Sequence, residues 1–224
     1  MNIWEKTFSQ REWGKYPPEI LVSSATKFRR TISSEISPSC LELGCGPGAN
    51  LTLLDSLFDH YCAIDISPTA IAKVNQILGN KVFSEHLVVG DFTKLPWPSC
   101  TFDFICDNLS IYANHSSDIK KILAEVYRVL KPSGLFYSRV WGKNTYGIST
   151  GLSLSDISFD DLKDGPCEGY GISSFFSVDD IRFYYDRFDI VDIIRLTQES
   201  SACFNNSITF SGDIIEEYVI LASK

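Results

Sequence analysis

Short apolar runs and amphipathic stretches alternate along most of the chain. Ser39 to Leu43, Tyr61 to Asp65, Leu87 to Asp91, Phe102 to Cys106 and Leu135 to Val140 read as buried strands. Between them lie helical patterns over residues 49 to 58, from the Ser67-Pro68 cap to Gly79, and along Ile119, Ile122, Leu123, Val126, Val129 and Leu130, stopped at Lys131-Pro132-Ser133-Gly134. Switching between the two periods in this order predicts β-α units around a mostly parallel sheet. Two helices precede it: Trp4, Phe8 and Arg11 recur at helical spacing, Gly14-Lys15-Tyr16-Pro17-Pro18 breaks the pattern, and a second helix runs from Glu19 to about Thr31. Residues 141 to 176 are rich in Gly, Ser and Asp and lose the alternation, which reads as a long inserted loop. A helix then follows Ser177, which with Asp180 suggests a capping box, and runs to Phe188. Strands at 189 to 197 and 217 to 222 have no helical pattern between them and are expected to pair antiparallel across a long loop.

One stretch carries the chemistry. In Leu41-Glu42-Leu43-Gly44-Cys45-Gly46-Pro47-Gly48-Ala49-Asn50-Leu51 an apolar run with one carboxylate meets three glycines at alternate positions. That is a strand ending in a tight loop that opens a helix, where backbone approaches a nucleotide-like ligand closely. Gly44, Gly46 and Ala49 also satisfy the dinucleotide spacing, so glycines alone leave a nicotinamide-dependent oxidoreductase open. Glu42 bears on the choice. A phosphate about 5 Å from it would cost roughly 3 kcal/mol at an effective dielectric of ~20, and a cation would gain. Ligands of open α/β sheets sit at the carboxyl ends of the strands. Glu42, Asp65, Asp91 and Asp107 are expected at those ends without basic neighbours, and His60 and His86 at the opposite edge.

The acidic residue, the apolar residue and the Gly-x-Gly-x-Gly run resemble the first motif of class I, Rossmann-like S-adenosylmethionine-dependent methyltransferases, small-molecule type. The resemblance implies a three-layer α/β sandwich whose seven-stranded, mostly parallel sheet has one antiparallel strand near the C-terminus. It implies one domain over 1–224: a helical lid (1–35), a cofactor-binding core (36–140), an inserted substrate loop (141–176) and sheet completion (177–224). The implied cofactor is S-adenosylmethionine, with Glu42, Gly44, Cys45, Gly46 and Gly48 at its methionine end. Asp65, 21 residues after Gly44, takes the ribose hydroxyls, with Ile66 beside it. Asp91 takes the adenine amino group, with Phe92 nearby. Asp107 and Asn108 match the fourth motif. Trp13 and Tyr16, with Trp4, suggest an aromatic lid, and Lys15 or Arg11 a partner for the cofactor carboxylate. His115, with Asp107, is the candidate proton acceptor for an acceptor hydroxyl, and Tyr112 is similar. The implied reaction is methyl transfer to an oxygen or nitrogen of a small molecule. A non-catalytic adenosyl-ligand-binding partner subunit is the other alternative.

Composition narrows the partners. A formal net charge of -8 argues against nucleic acid. Seven cysteines, several in apolar runs, without a Cys-x-x-Cys pair, and three scattered histidines predict reduced thiols and no metal site. Residues 1 to 15 are charged and aromatic rather than apolar, and no run approaches the ~18 apolar residues of a membrane span, so a cytoplasmic monomer or homodimer is expected. Asp156, Asp160, Asp161, Asp164 and Glu168 outnumber Lys143 and Lys163 in the inserted segment, which disfavours a polyanionic acceptor and leans toward a sugar or polar metabolite.

Overall fold

The computed structural model describes residues 2–79, 86–204 and 207–224. Helices α1 (Ile3–Gln10) and α2 (Glu19–Arg29) lead into β1 (Ser39–Leu43), α3 (Leu51–Leu57), β2 (His60–Asp65), α4 (Pro68–Ile77), β3 (Leu87–Val89) and β4 (Phe102–Asn108). Next come a short 3-10 helix (Ile111–Ala113), α5 (Ser116–Val129) and β5 (Leu130–Gly142). β6 (Leu152–Ser153), β7 (Ser158–Asp160), β8 (Ser173–Phe176), α6 (Val178–Tyr184), β9 (Asp189–Phe204) and β10 (Ser207–Ser223) complete the chain.

The main sheet runs β3-β2-β1-β4-β5-β10-β9, parallel from β3 to β5 and antiparallel at β10. One antiparallel strand in a seven-stranded sheet is the expected arrangement, and the three short strands of the insert extend it. β8 joins β5 in parallel at Trp141 and Gly142, and β7 and β6 follow in antiparallel order.

Alternation along each strand sends side chains to two cores. Leu41, Leu43, Ile105 and Phe136 meet Ile119, Ile122 and Val126 of α5 and Ile181 of α6. Cys40, Phe104, Cys106 and Tyr137 meet Leu21 of α2, Leu51 and Leu54 of α3 and Val74 of α4. The result is three layers. The predicted caps form: Ser67 Oγ accepts from the Ala70 N–H with Pro68 in the first turn, and Ser177 and Asp180 make a capping box.

Two expectations change. The segment 141–176 contains a 3-10 turn and three strands, tied to α5 where Ser158 Oγ meets Ser174 Oγ at 2.7 Å and accepts from the Ser116 N–H at 2.9 Å. The supposed long loop before the last strand is itself strand, because β9 and β10 extend to Phe204 and Ser207, with 205–206 outside the described residues. No helix among the described residues is long and apolar enough to cross a membrane.

Candidate active site

After Leu43 the backbone turns through Gly44, Gly46 and Gly48 at φ of 65°, 49° and 95°, a region that strains residues bearing a Cβ. At Gly44 an added Cβ would also overlap the Ser110 side chain, and at Gly46 it would stand 3.4 Å from the Phe8 ring. Over this loop, at the carboxyl ends of β1, β2 and β4, lies a cavity of about 510 Å³, within the roughly 300–1,000 Å³ of small-molecule sites.

Gly44, Cys45, Gly46, Asp65, Ile66, Asp91, Phe92, Asn108, Trp13 and Tyr16 all line the cavity. Asp65 is buried: Oδ2 accepts from the Gly46 N–H at 2.9 Å and Oδ1 from the Ser67 N–H at 2.8 Å. Burial lifts its pKa above the ordinary carboxylate value while these two bonds oppose the shift. Two bonds leave a carboxylate further lone pairs. Asp91 stands at the exposed rim, with Oδ1 accepting from the Thr93 N–H at 2.7 Å.

Four expected residues do not line the cavity. Glu42 lies beneath the loop, 1% exposed, where Oε1 accepts from Asn50 Nδ2 at 2.8 Å and Oε2 from the Tyr61 hydroxyl at 2.5 Å. Burial pushes it up to about 7, against those two hydrogen bonds. It reaches the cavity only through Asn50, so its charge does not choose the ligand by direct contact. Gly48 faces Val74 and Ile77 of α4. Asp107 is fully buried; Oδ1 accepts from the N–H groups of Ser110 and Ile111 (2.9 and 3.0 Å) and Oδ2 from Ser138 Oγ (2.7 Å). It caps the turn into the 3-10 helix, and burial pushes it up to about 6. His115 caps α5, its Nδ1 accepting from the Ser117 N–H at 3.2 Å. Neither Asp107 nor His115 therefore touches the cavity. Arg11 and Lys15 are exposed and also off its wall.

Asn50, Arg139, Trp141 and Tyr170 join the lining without having been singled out in the sequence. The expectation of no basic neighbour fails at Arg139, which donates Nε and Nη2 to Glu217 of β10. Its Nη1 lies 3.5 Å from Asn108 Oδ1, and Asn108 Nδ2 lies 3.4 Å from Asn50 Oδ1. A chain of polar contacts thus crosses the sheet from Tyr61 through Glu42, Asn50, Asn108 and Arg139 to Glu217. A charged residue in the mostly apolar run from Leu135 to Trp141 was the available signal.

The aromatic side is built from both ends of the sequence. Trp4 of α1 stacks on Tyr170 of the insert (centroids 5.3 Å, planes 8° apart), and Trp13 stands edge-on to both and to Phe8. α1 is held because Glu5 accepts from the Ser67 and Thr69 hydroxyls and Lys73 Nζ donates to Phe8 O at 2.6 Å. Tyr112 also lines the cavity, and burial raises its hydroxyl well above 10.

Residues 41–138, from β1 into β5, match the family described as a methyltransferase domain. That match and the fold together support a class I S-adenosylmethionine-dependent methyltransferase domain. The chain is 30% identical over 136 residues to a sterol 24-C-methyltransferase of Pneumocystis carinii, covering 53% of this chain and 35% of that protein. It is 25% identical over 173 residues to the human mitochondrial arginine-hydroxylase NDUFAF5, covering 70% and 47%. The chain thus spans about a third to a half of the length of these curated relatives. In fold it is similar to a crystal structure of an S-adenosylmethionine-dependent methyltransferase from Clostridium acetobutylicum, at TM-score 0.65 and 18% identity, covering 99% of this chain and 96% of that one.

Proposed function

We propose that the chain transfers a methyl group from S-adenosylmethionine to an oxygen or nitrogen of a small-molecule acceptor. The observation that carries this reading is Asp65: its carboxylate stands in the cavity wall and already occupies the Gly46 N–H. A pyrophosphate would need that loop N–H as a donor and would meet the Asp65 charge instead. An uncharged adenosine suits the same wall, with Asp65 as acceptor for ribose hydroxyls and Asp91 for the adenine amino group. Gly44 to Gly46 bring backbone to the middle of the ligand, and Asn108 supplies a side-chain amide beside them.

When bound, S-adenosylmethionine supplies a sulfonium-activated methyl group. The chain's own residues hold and shield the reactants. Trp4, Trp13 and Tyr170 offer aromatic faces that exclude water and favour a cation. The Tyr112 hydroxyl stays neutral at physiological pH, so it orients an acceptor group by hydrogen bonding rather than removing its proton. With Asp107 and His115 off the wall, the rate enhancement assigned to this site is mainly alignment of acceptor and methyl carbon. The name of the arginine-hydroxylase relative shows that related sequences serve other chemistry, so the test is turnover. Incubated with S-adenosylmethionine and a metabolite mixture, the protein should release S-adenosylhomocysteine and add methyl mass to an acceptor oxygen or nitrogen. Tight S-adenosylhomocysteine binding with no methylated product from any mixture would favour the non-catalytic partner instead.

A further inference from the structure

Arg139 is the one basic side chain among the described residues lining the cavity. Its five N–H groups can be accounted for individually. Nε and one N–H of Nη2 serve Glu217, and one N–H of Nη1 makes the long contact to Asn108. One N–H remains on each terminal nitrogen, and the edge carrying these two nitrogens is the one opposite Nε, where a guanidinium can meet both oxygens of a carboxylate. Glu217, itself buried, fixes the group's orientation.

Position separates this fork from the adenosyl end. Asp65 ends β2 and Arg139 lies on β5, with β1 and β4 between them, three strand spacings or about 14 Å. Trp141, two residues on and therefore on the same sheet face, shares the cavity wall with Tyr112, whose ring stands edge-on to it with centroids 5.9 Å apart, and with Pro166. None of the five acids of the insert lines the cavity.

Building on the methyltransferase reading, we propose that the acceptor is a flat, preferably aromatic, molecule bearing a carboxylate, and that the free edge of Arg139 receives that carboxylate. The fork then selects the acceptor and sets its position relative to the methyl group.

The test follows indole N–H resonances of nitrogen-15-labelled protein saturated with S-adenosylhomocysteine, titrated with benzoate or with benzamide. The Trp141 signal, identified by its loss in Trp141→Phe, should shift saturably with benzoate, and benzamide should bind at least about tenfold more weakly for want of the charge-assisted pair. The double variant Arg139→Gln with Glu217→Gln, which leaves no unpaired buried charge, should lose the preference for benzoate and keep S-adenosylhomocysteine affinity within about threefold. Equal response to the two probes in the wild-type protein, or benzoate binding unchanged in the double variant, overturns the proposal. It is also overturned if the double variant loses S-adenosylhomocysteine affinity but not that for 5′-methylthioadenosine, which lacks the amino-acid tail; the fork would then hold the cofactor's own carboxylate. If S-adenosylhomocysteine fails to bind while benzoate is preferred by the free protein, the carboxylate site stands and the methyl-transfer reading falls.

Discussion

The Tyr61 hydroxyl donates to Glu42 Oε2 at 2.5 Å, which anchors the carboxylate preceding the glycine loop inside the sheet. Together with Asn50 this holds Glu42 as a support beneath the loop, one residue removed from the cavity.

That support has a pH signature. Burial raises Glu42 from 4.5 to about 7. Between those values the folded protein keeps a proton that the unfolded chain releases, so the stability contribution is fully present below pH 4.5 and lost as pH rises through about 7. Full release corresponds to a few kcal/mol at most, on the order of 3. Asp107, raised to about 6, acts in the same direction. Urea unfolding at about pH 5 and pH 7 should show Glu42→Gln losing less stability across that interval than the wild type; parallel losses would mean Glu42 is ionised throughout.

Asp65 serves the loop and the ligand together. Asp65→Ala should weaken S-adenosylhomocysteine binding by at least ~1.5 kcal/mol, the scale of a lost charge-assisted hydrogen-bond pair. It should also lower the melting temperature, because the N–H groups of Gly46 and Ser67 lose their acceptor. Calorimetric titration and a thermal melt read the two effects separately, and unchanged affinity would remove Asp65 from the ligand site.

His115 is a helix cap on this account. His115→Ala should cost about 1 kcal/mol of stability, as caps do, and leave methyl-transfer rates and adenosyl-ligand affinity as they were. A rate loss of about 100-fold, the lower end of general-base contributions, would restore it to the chemistry.

The stacked pair Trp4 and Tyr170 joins the first helix to the insert. A double-mutant cycle with Trp4→Ala and Tyr170→Ala should give a coupling of about 0.5–1.5 kcal/mol in S-adenosylhomocysteine affinity, with faster ligand dissociation in each single variant. Additive effects would mean the two rings act independently.

What the sequence revealed follows from where local chemistry decides the outcome. The glycine loop, the Ser67-Pro68 cap and the Ser177–Asp180 box are local devices, and all are found in the structure. β6, β7 and β8 are two, three and four residues long, too short to show a period, and contacts such as Ser158 with Ser174 hold them in place. At the end of β4 a single step of alternation divides the neighbours: Asp107 turns to Ser138 and the α5 side, and Asn108 to the cavity. Sequence alone does not fix that parity. Arg139 showed in the sequence only as a charge within a strand, and its pairing did not, since its partner Glu217 lies 78 residues away on the antiparallel strand.

The most direct test of the central claim is calorimetric titration of the chain with S-adenosylhomocysteine, S-adenosylmethionine and NAD in parallel. Saturable micromolar binding of both adenosyl ligands, with none for NAD, is the predicted result. Binding of NAD alone would contradict the assignment of Asp65 and the Gly46 N–H and turn the search toward hydride transfer.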